Sequence, residues 1–191
     1  MLQCEGDSRC DAVHEAADSA RQALAETSGA LRGLADAINN GTELTDAQTG
    51  LKNTFESKFG EGSSTSKNLG NVADRLDRTA AKIGERGQGA TVKFGGPSSS
   101  AAARAPVGGN RMTIYDNFFS NQSYQGFAIA HEGGHLAGLN DIGLPSNAPF
   151  WLGINGKAYG DKATNWLGSN QPGRAIKNND SHICLVVRCY P

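Results

Sequence analysis

The sequence predicts a mainly helical α+β fold, with long N-terminal helices, a small β-sheet and further helices at the C-terminal end. Apolar residues recur at helical spacing through 11–83, and short β-prone segments follow a change of composition at Gly84. A mostly apolar stretch then precedes His131, as expected of a buried helix. At 191 residues, one domain is expected, with a helical half over 1–86 and a second half over 87–191.

The first half predicts three helices. The first covers 11–38, the second follows a cap at Thr45 and Asp46, and the third covers about 66–83. His14 lies in the first helix and is expected at the surface, because no partner motif surrounds it. The apolar positions of the first helix are Val13, Ala17, Ala20, Leu24, Leu31, Leu34 and Ile38.

The second half begins with two predicted strands, 91–94 and 111–115. Between them, 95–109 consists of small residues without periodicity and is expected to be a mobile surface loop, although a loop of this length can also rim an active site. After an irregular, proline-containing stretch, one helix is expected over about 158–167 and a last one from about Asn179.

Composition and charge exclude several partners. A net charge of −1 gives no basic surface for nucleic acid or an anionic membrane, and no apolar run is long enough to cross a bilayer. The first residues lack the pattern of a signal peptide, so we expect either a mature fragment or a delivery route that needs no such peptide. A monomer is expected.

The four cysteines form two terminal pairs, Cys4 with Cys10 and Cys184 with Cys189. Their spacing is not that of a cysteine zinc site, and two disulfides are expected, which suits an oxidising compartment. Three connectivities are possible, so the bonds could close local loops or join the two ends of the chain.

A metal-binding pattern, H-E-x-x-H-x-x-G-x-x-D, begins at His131. On a helix, His131 and His135 lie on one face about 6 Å apart and can bind one zinc ion, Zn²⁺. Glu132 lies about 100° round the helix, where a general base can reach a zinc-bound water. Such a motif can also be a solvated polar face, but the apolar flank predicts a buried helix, where these polar groups need a metal.

The third ligand follows by elimination. No glutamate occurs after Glu132, which excludes a thermolysin-like site, and Met1 and Met112 are the only methionines, so no downstream methionine turn of the metzincin kind exists. The remaining candidates are Asp141, Asp161, Asp180 and His182. Asp141 is favoured because Gly138 ends the helix and turns the chain back towards the histidines.

The chain resembles the deuterolysin, or aspzincin, family of zinc endopeptidases, which includes lysine-specific fungal enzymes and toxin modules of bacterial polymorphic proteins. The matching residues are His131, Glu132, His135, Asp141, Tyr159 with Gly160, and Asn178, Asn179, Asp180 and Ser181. Two departures are the short spacing to Asp141 and a histidine, His182, where the family tends to have tyrosine.

The resemblance implies a zincin-like fold, with 87–191 as the catalytic half, and zinc-dependent cleavage of a protein or peptide. It also implies secretion or delivery outside the producing cell, including as a toxin. Tyr159 is a candidate donor to the oxyanion or, equally, a packing residue, and Asp180 and His182 are candidates for supporting the site. In many zinc peptidases an edge strand binds substrate, a role that Thr113, Ile114 and Tyr115 could fill unless they form a plain packing strand.

Two other functions stay open. One is a helical interaction or toxin module in which a structural zinc has four protein ligands and nothing is cleaved. The other is a zinc hydrolase acting on a non-peptide substrate such as a cell-wall amide.

Overall fold

The structure is a computed structural model that describes residues 2–84, 89–97, 101–149, 151–152 and 156–187. Seven α-helices, one 3₁₀ helix and a three-stranded sheet lie in these ranges, which confirms the mainly helical α+β fold class. The helices are α1 (Cys10–Asn39), α2 (Asp46–Phe59), α3 (Ser66–Ile83), α4 (Gln122–Leu136), α5 (Gly160–Asn170), α6 (Pro172–Ala175) and α7 (Asn179–Val186), and the strands are β1 (Thr91–Phe94), β2 (Ala103–Arg104) and β3 (Arg111–Ile114).

The chain forms two compact units. One comprises Met1–Ala25 and Asp77–Leu139, and the other comprises Glu26–Leu76 and Asn140–Pro191. Helices α1 and α3 each contribute residues to both units. The single-domain organisation expected from the sequence stays a prediction.

The three N-terminal helices begin and end within about a residue of their predicted limits. Helix α2 begins with a capping box, in which the Thr45 side chain accepts from the Gln48 amide and the Gln48 side chain accepts from the Thr45 amide. Most apolar positions of α1 and α3 that the periodicity selected are buried, whereas Ile38 and Ala80 are half-buried. The fully buried ones include Val13, Leu24, Leu31, Leu34, Leu69, Val72 and Leu76.

The sheet of the first unit has the strand order β1-β3-β2. Strand β1 runs parallel to β3, with Val92 opposite Met112, and β2 runs antiparallel to it, with Ala103 opposite Ile114. The prediction of 95–109 as loop throughout was wrong at β2. Two residues are too few to show alternation, so β2 is defined only by its pairing with β3.

The N-terminal segment packs into the first unit. Leu2 is fully buried, Gln3 pairs with Thr91 of β1, and a disulfide joins Cys4 to Cys10. This local disulfide excludes a bond between Cys4 or Cys10 and the C-terminal cysteines. Of the second predicted pair, Cys189 lies outside the described residues.

His14 is buried, so its predicted surface position was wrong. Its side chain is 9% exposed and its Nε2 lies 3.2 Å from the carbonyl oxygen of Leu2. The N-terminal segment covers this face of α1, and a periodicity analysis of one helix does not show what covers it.

The second unit is organised by α2, α5 and α7, which contact one another. Its fully buried apolar residues include Phe55 and Phe59, whose rings lie 4.6 Å apart, together with Leu167 and Ile183. The sequence did not predict α6 or the 3₁₀ helix (Asp116–Ser120), because both are too short to show a helical period. Within the described part of the chain, no helix has both the length and the apolar character needed to cross a membrane.

Candidate metal centre

Helix α4 carries the H-E-x-x-H motif and is buried along most of its length. Phe127, Ala128, Ile129 and Ala130 are at most 7% exposed, and the sequence predicted this burial from the same four residues. Glu132 and His135 are each 8% exposed. Polar side chains at such positions require interactions that compensate for the loss of water.

The two histidine rings lie together on one face of α4. Their centroids are 4.7 Å apart and their planes are nearly perpendicular, at 88°. The ring of Phe127 lies 5.8 Å from that of His131, one turn earlier. One helical turn therefore brings two imidazoles side by side, as the motif predicted.

The ring of His135 is oriented by the backbone that follows α4. Its Nδ1 lies 2.9 Å from the carbonyl oxygen of Leu139. Because a carbonyl oxygen can only accept, Nδ1 is the donor in this contact, which leaves Nε2 as the nitrogen available to a metal in the neutral ring. Backbone contacts of this kind fix the tautomer and orientation of metal-binding histidines.

The turn after α4 is made by Gly138, whose φ of 95° few other residues adopt without strain. The Gly138 amide donates to the carbonyl of His135, and the Leu139 amide donates to that of Gly134. These bonds satisfy carbonyl groups at the helix end, and the turn places Leu139 against the His135 ring. The predicted helix stop is confirmed.

Asp141 lies beyond this turn and completes a cluster of possible ligands. Ligand atoms of His131, His135 and Asp141 all lie within 4.8 Å of one another, and no other group of this kind occurs among the described residues. Two atoms bonded to one tetrahedral zinc at about 2.0–2.2 Å lie roughly 3.3–3.6 Å apart, so side-chain movements on the order of 1 Å would bring the three atoms onto one ion. Two imidazole nitrogens and a carboxylate oxygen are a donor set that fits zinc.

Two side chains hold Asp141 in place. The Tyr159 hydroxyl donates to Oδ2 of Asp141 over 2.5 Å, and Nζ of Lys157 donates to the Asp141 carbonyl oxygen over 3.1 Å. The sequence singled out Tyr159 as a candidate oxyanion donor, whereas in this structure its hydroxyl contacts the carboxylate. Lys157 was not singled out, since a lone lysine in an irregular segment gives no signal.

The other candidate ligands have different partners. Asp161 forms an ion pair with Lys58, with 2.5 Å between Oδ1 and Nζ, and Asp180 accepts from the amide of Gly160 over 2.8 Å. His182 is fully buried, and its Nε2 lies 2.9 Å from the carbonyl oxygen of Ile176. None of the three belongs to the cluster around His131 and His135.

The expectation that Thr113, Ile114 and Tyr115 offer an edge strand was wrong. Strand β3 lies in the middle of the sheet, where β1 pairs with one of its sides and β2 with the other. The amide of Tyr115 also donates to the carbonyl of Ala102. The strand at this edge of the sheet is β2, which the sequence did not predict.

Part of the small-residue loop lies at the end of α4. The Gly108 amide donates to the carbonyl oxygen of His135 over 2.8 Å, so the 106–109 turn contacts the backbone of a candidate ligand. Val107 is 49% exposed there. The interpretation of this loop as a rim of the site, left open by the sequence, is consistent with this contact.

Comparisons with known proteins agree with the fold. No family model matches the chain, and no curated protein matches it in sequence. Among solved structures, a zinc peptidase from Grifola frondosa is similar, with a TM-score of 0.62 and 16% identity over 95% of this chain and 96% of that one. The chain therefore has a fold similar to that of this fungal peptidase over nearly its whole length.

Proposed function

We propose that this chain is a zinc-dependent metalloendopeptidase of the deuterolysin type. The observation that carries the proposal is the cluster of His131, His135 and Asp141, with Glu132 buried on the same helix. The fold similarity to a zinc peptidase supports it, because the similarity covers 95% of this chain. Hydrolysis of proteins or peptides follows from this assignment.

In this proposal His131, His135 and Asp141 hold the zinc ion. A zinc ion held there would supply Lewis acidity, which would polarise the scissile carbonyl and lower the pKa of bound water towards neutrality. Glu132 acts as the general base: its carboxylate takes a proton from the attacking water and passes it to the leaving amine as the C–N bond breaks. The products are one carboxylate and one amine, and Glu132 returns to its ionised form.

Tyr159 has two possible roles that compete for one proton. In the structure its hydroxyl donates to Asp141, which orients the carboxylate for metal binding. Donation to a developing oxyanion requires that this hydrogen bond break, since a hydroxyl has a single proton. We assign Tyr159 to the orientation of Asp141 in the resting enzyme.

An extended peptide is the substrate that the sheet favours. Main-chain pairing with β2 extends the sheet from its edge, which is the usual way in which an exposed strand binds a peptide. Arg104 is exposed on this strand and Ala103 is buried, so alternate substrate residues would face different surroundings. In this proposal, residues 113–115 support β2 and do not themselves pair with substrate.

We extend the proposal to location. The Cys4–Cys10 disulfide is typical of proteins that mature in oxidising compartments, which favours a secreted or delivered enzyme. A role as a toxin or effector rests on the family resemblance alone, and a monomer remains the expected state.

Cleavage of denatured casein tests the proposal. Zinc-loaded wild type is expected to cleave casein, a chelator to stop it, and Glu132→Gln to lower the rate about 10²–10⁴-fold while zinc stays bound. Glu56→Gln is the matched control. Glu56 is also mostly buried, but it contacts Lys52 on α2 and Ser64 in the turn that follows α2. Normal cleavage by Glu132→Gln would overturn the mechanism.

Zinc-loaded wild type that leaves casein and other denatured proteins intact would overturn the peptidase assignment. A zinc ion with four protein ligands would then favour an interaction module. Hydrolysis of a cell-wall amide that depends on Glu132 would favour the non-peptide hydrolase.

A further inference from the structure

Asn178 has an unusual position for its side chain. It is the N-cap residue of α7, yet its side chain makes no capping hydrogen bond. Asparagine at this position normally accepts from an amide of the first helical turn. Here the side chain is 1% exposed; its Nδ2 donates to the Ser181 hydroxyl in the first turn of α7 over 3.2 Å, and its other hydrogen bonds go to distant backbone segments.

The first of these contacts fixes the backbone around Asp141. Oδ1 of Asn178 accepts from the amide of Ile142 over 2.9 Å, and the amide of Asn179 donates to the carbonyl of Asn140 over 2.8 Å. The residues on both sides of Asp141 are therefore bonded to the start of α7. The carboxylate of Asp141 extends from a segment of backbone that is held at both ends.

The second set of contacts fixes the backbone around Tyr159 in the same way. Nδ2 of Asn178 donates to the carbonyl of Ala158 over 3.1 Å. Oδ2 of Asp180, which is 1% exposed, accepts from the amide of Gly160 over 2.8 Å. The residues before and after Tyr159 are thus bonded to the same three-residue segment that holds Asp141.

We propose that residues 178–180 are a positioning clamp that sets the third metal ligand and the tyrosine bonded to it. Asn178 is its central residue, because its one amide group bonds to both the 142 and the 158 backbone. The proposal rests on the assignment of zinc to His131, His135 and Asp141. It also gives a physical reason for the Asn-x-Asp pattern at the start of the last helix, where asparagine bonds to the 142 and 158 backbone and aspartate bonds to the amide of Gly160.

A merely structural role makes a different prediction. If Asn178 only stabilised the fold, its removal would lower the melting temperature and leave zinc binding in the folded protein unchanged. A clamp sets the geometry of Asp141, so its loss must change the metal site itself. Partners that orient metal ligands typically change metal affinity about 10–100-fold when they are removed.

The test uses Asn178→Ala, Asn178→Asp and the control Ser28→Ala in the full chain. Ser28 is 2% exposed, and its hydroxyl donates to the carbonyl of Ala73, so its loss also removes a buried side-chain hydrogen bond. Zinc affinity is measured by competition with a chromophoric chelator, and the visible absorption of bound Co²⁺ reports ligand geometry. Melting temperature, kcat and KM are measured alongside.

Asn178→Ala is expected to bind zinc about 10–100-fold more weakly and to change the cobalt spectrum. Asn178→Asp keeps an acceptor for the Ile142 amide but loses the donor to Ala158, so we expect zinc affinity within about tenfold of wild type, a lower kcat and little change in KM. Ser28→Ala is expected to keep the zinc affinity and cobalt spectrum of wild type, whatever its melting temperature.

Wild-type zinc affinity and cobalt spectrum in Asn178→Ala would overturn the clamp. Should Asn178→Ala fail to fold, Asn178→Asp decides. A wild-type kcat and a wild-type cobalt spectrum in Asn178→Asp would then overturn the clamp. A wild-type chain that binds no zinc would instead overturn the proposed function, so the two failures are distinguishable.

Discussion

The hydroxyl of Tyr159 donates a hydrogen bond to Oδ2 of Asp141 over 2.5 Å, across 18 residues of sequence. The bond joins Tyr159, which the family resemblance singled out, to Asp141, which was selected by its position after the helix stop at Gly138. Since a carboxylate offers several lone pairs, Asp141 can accept from Tyr159 and still ligate a metal. The tyrosine is therefore linked to the metal site through the ligand that it orients.

Tyr159→Phe is expected to weaken zinc binding about tenfold or more, because it removes the hydroxyl that holds the carboxylate. Competition with a chromophoric chelator measures the change. Tyr115→Phe is the control, since it removes the hydroxyl of a tyrosine that directly follows β3 and lies outside the ligand cluster. Wild-type zinc affinity together with a large loss of kcat would instead assign Tyr159 to the oxyanion.

Asp161→Asn is expected to destabilise the fold by about 1–3 kcal/mol without weakening zinc binding. The reason is that Asp161 pairs with Lys58, whose side chain is 4% exposed and would lose this acceptor. Because the Asp161 side chain is half-exposed, water can reach this position, which limits the loss of folding stability. Denaturant unfolding measures stability, and a fall in zinc affinity in this variant would make Asp161 a ligand.

Gly133→Ala is expected to lower the stability of the fold by about 1–3 kcal/mol. A Cβ at Gly133 would lie 2.9 Å from Cγ1 of Ile83, so the Ile83 side chain or the backbone of α4 or α3 would have to shift. Gly29→Ala is the control, because a Cβ there meets nothing within 4 Å and should stabilise α1 by about 0.5–1 kcal/mol. Equal effects on the thermal midpoint in both variants would refute the close contact.

Asp7 is expected to titrate far below an ordinary aspartate. Hydrogen bonds from the side chain and amide of Arg9 lower the pKa of Asp7 from 3.8 to about 2. Because the lower pKa belongs to the folded state, this contribution to stability is present above pH 3.8 and is lost as the pH falls towards 2. NMR titration of the carboxyl carbon measures the pKa, and a midpoint near 3.8 would contradict the prediction.

The sequence predicted the elements whose signals are local. The cap at Thr45, the apolar period of α3 and the helix stop at Gly138 each depend on neighbours within a few residues. Asp141 was favoured for a similar reason, since it lies six residues after His135 and just past the helix stop at Gly138. Local chemistry was therefore sufficient to select three residues whose possible ligand atoms lie together.

Contacts between distant residues could not be predicted in this way. Strand β2 is defined only by its pairing with β3, and the burial of His14 depends on the covering N-terminal segment. Asn178 was matched to a family pattern, but its contacts lie 36 residues away at Ile142 and 20 residues away at Ala158. A single sequence carries no signal for contacts between residues so far apart along the chain.

The zinc content of the purified chain tests the central claim most directly. Mass spectrometry of wild type and Asp141→Ala, each dialysed against dilute zinc, should find about one zinc ion per wild-type chain and far less in the variant. Wild type without stoichiometric zinc, or a variant that retains zinc at the wild-type level, would contradict the assignment of His131, His135 and Asp141 as the metal site.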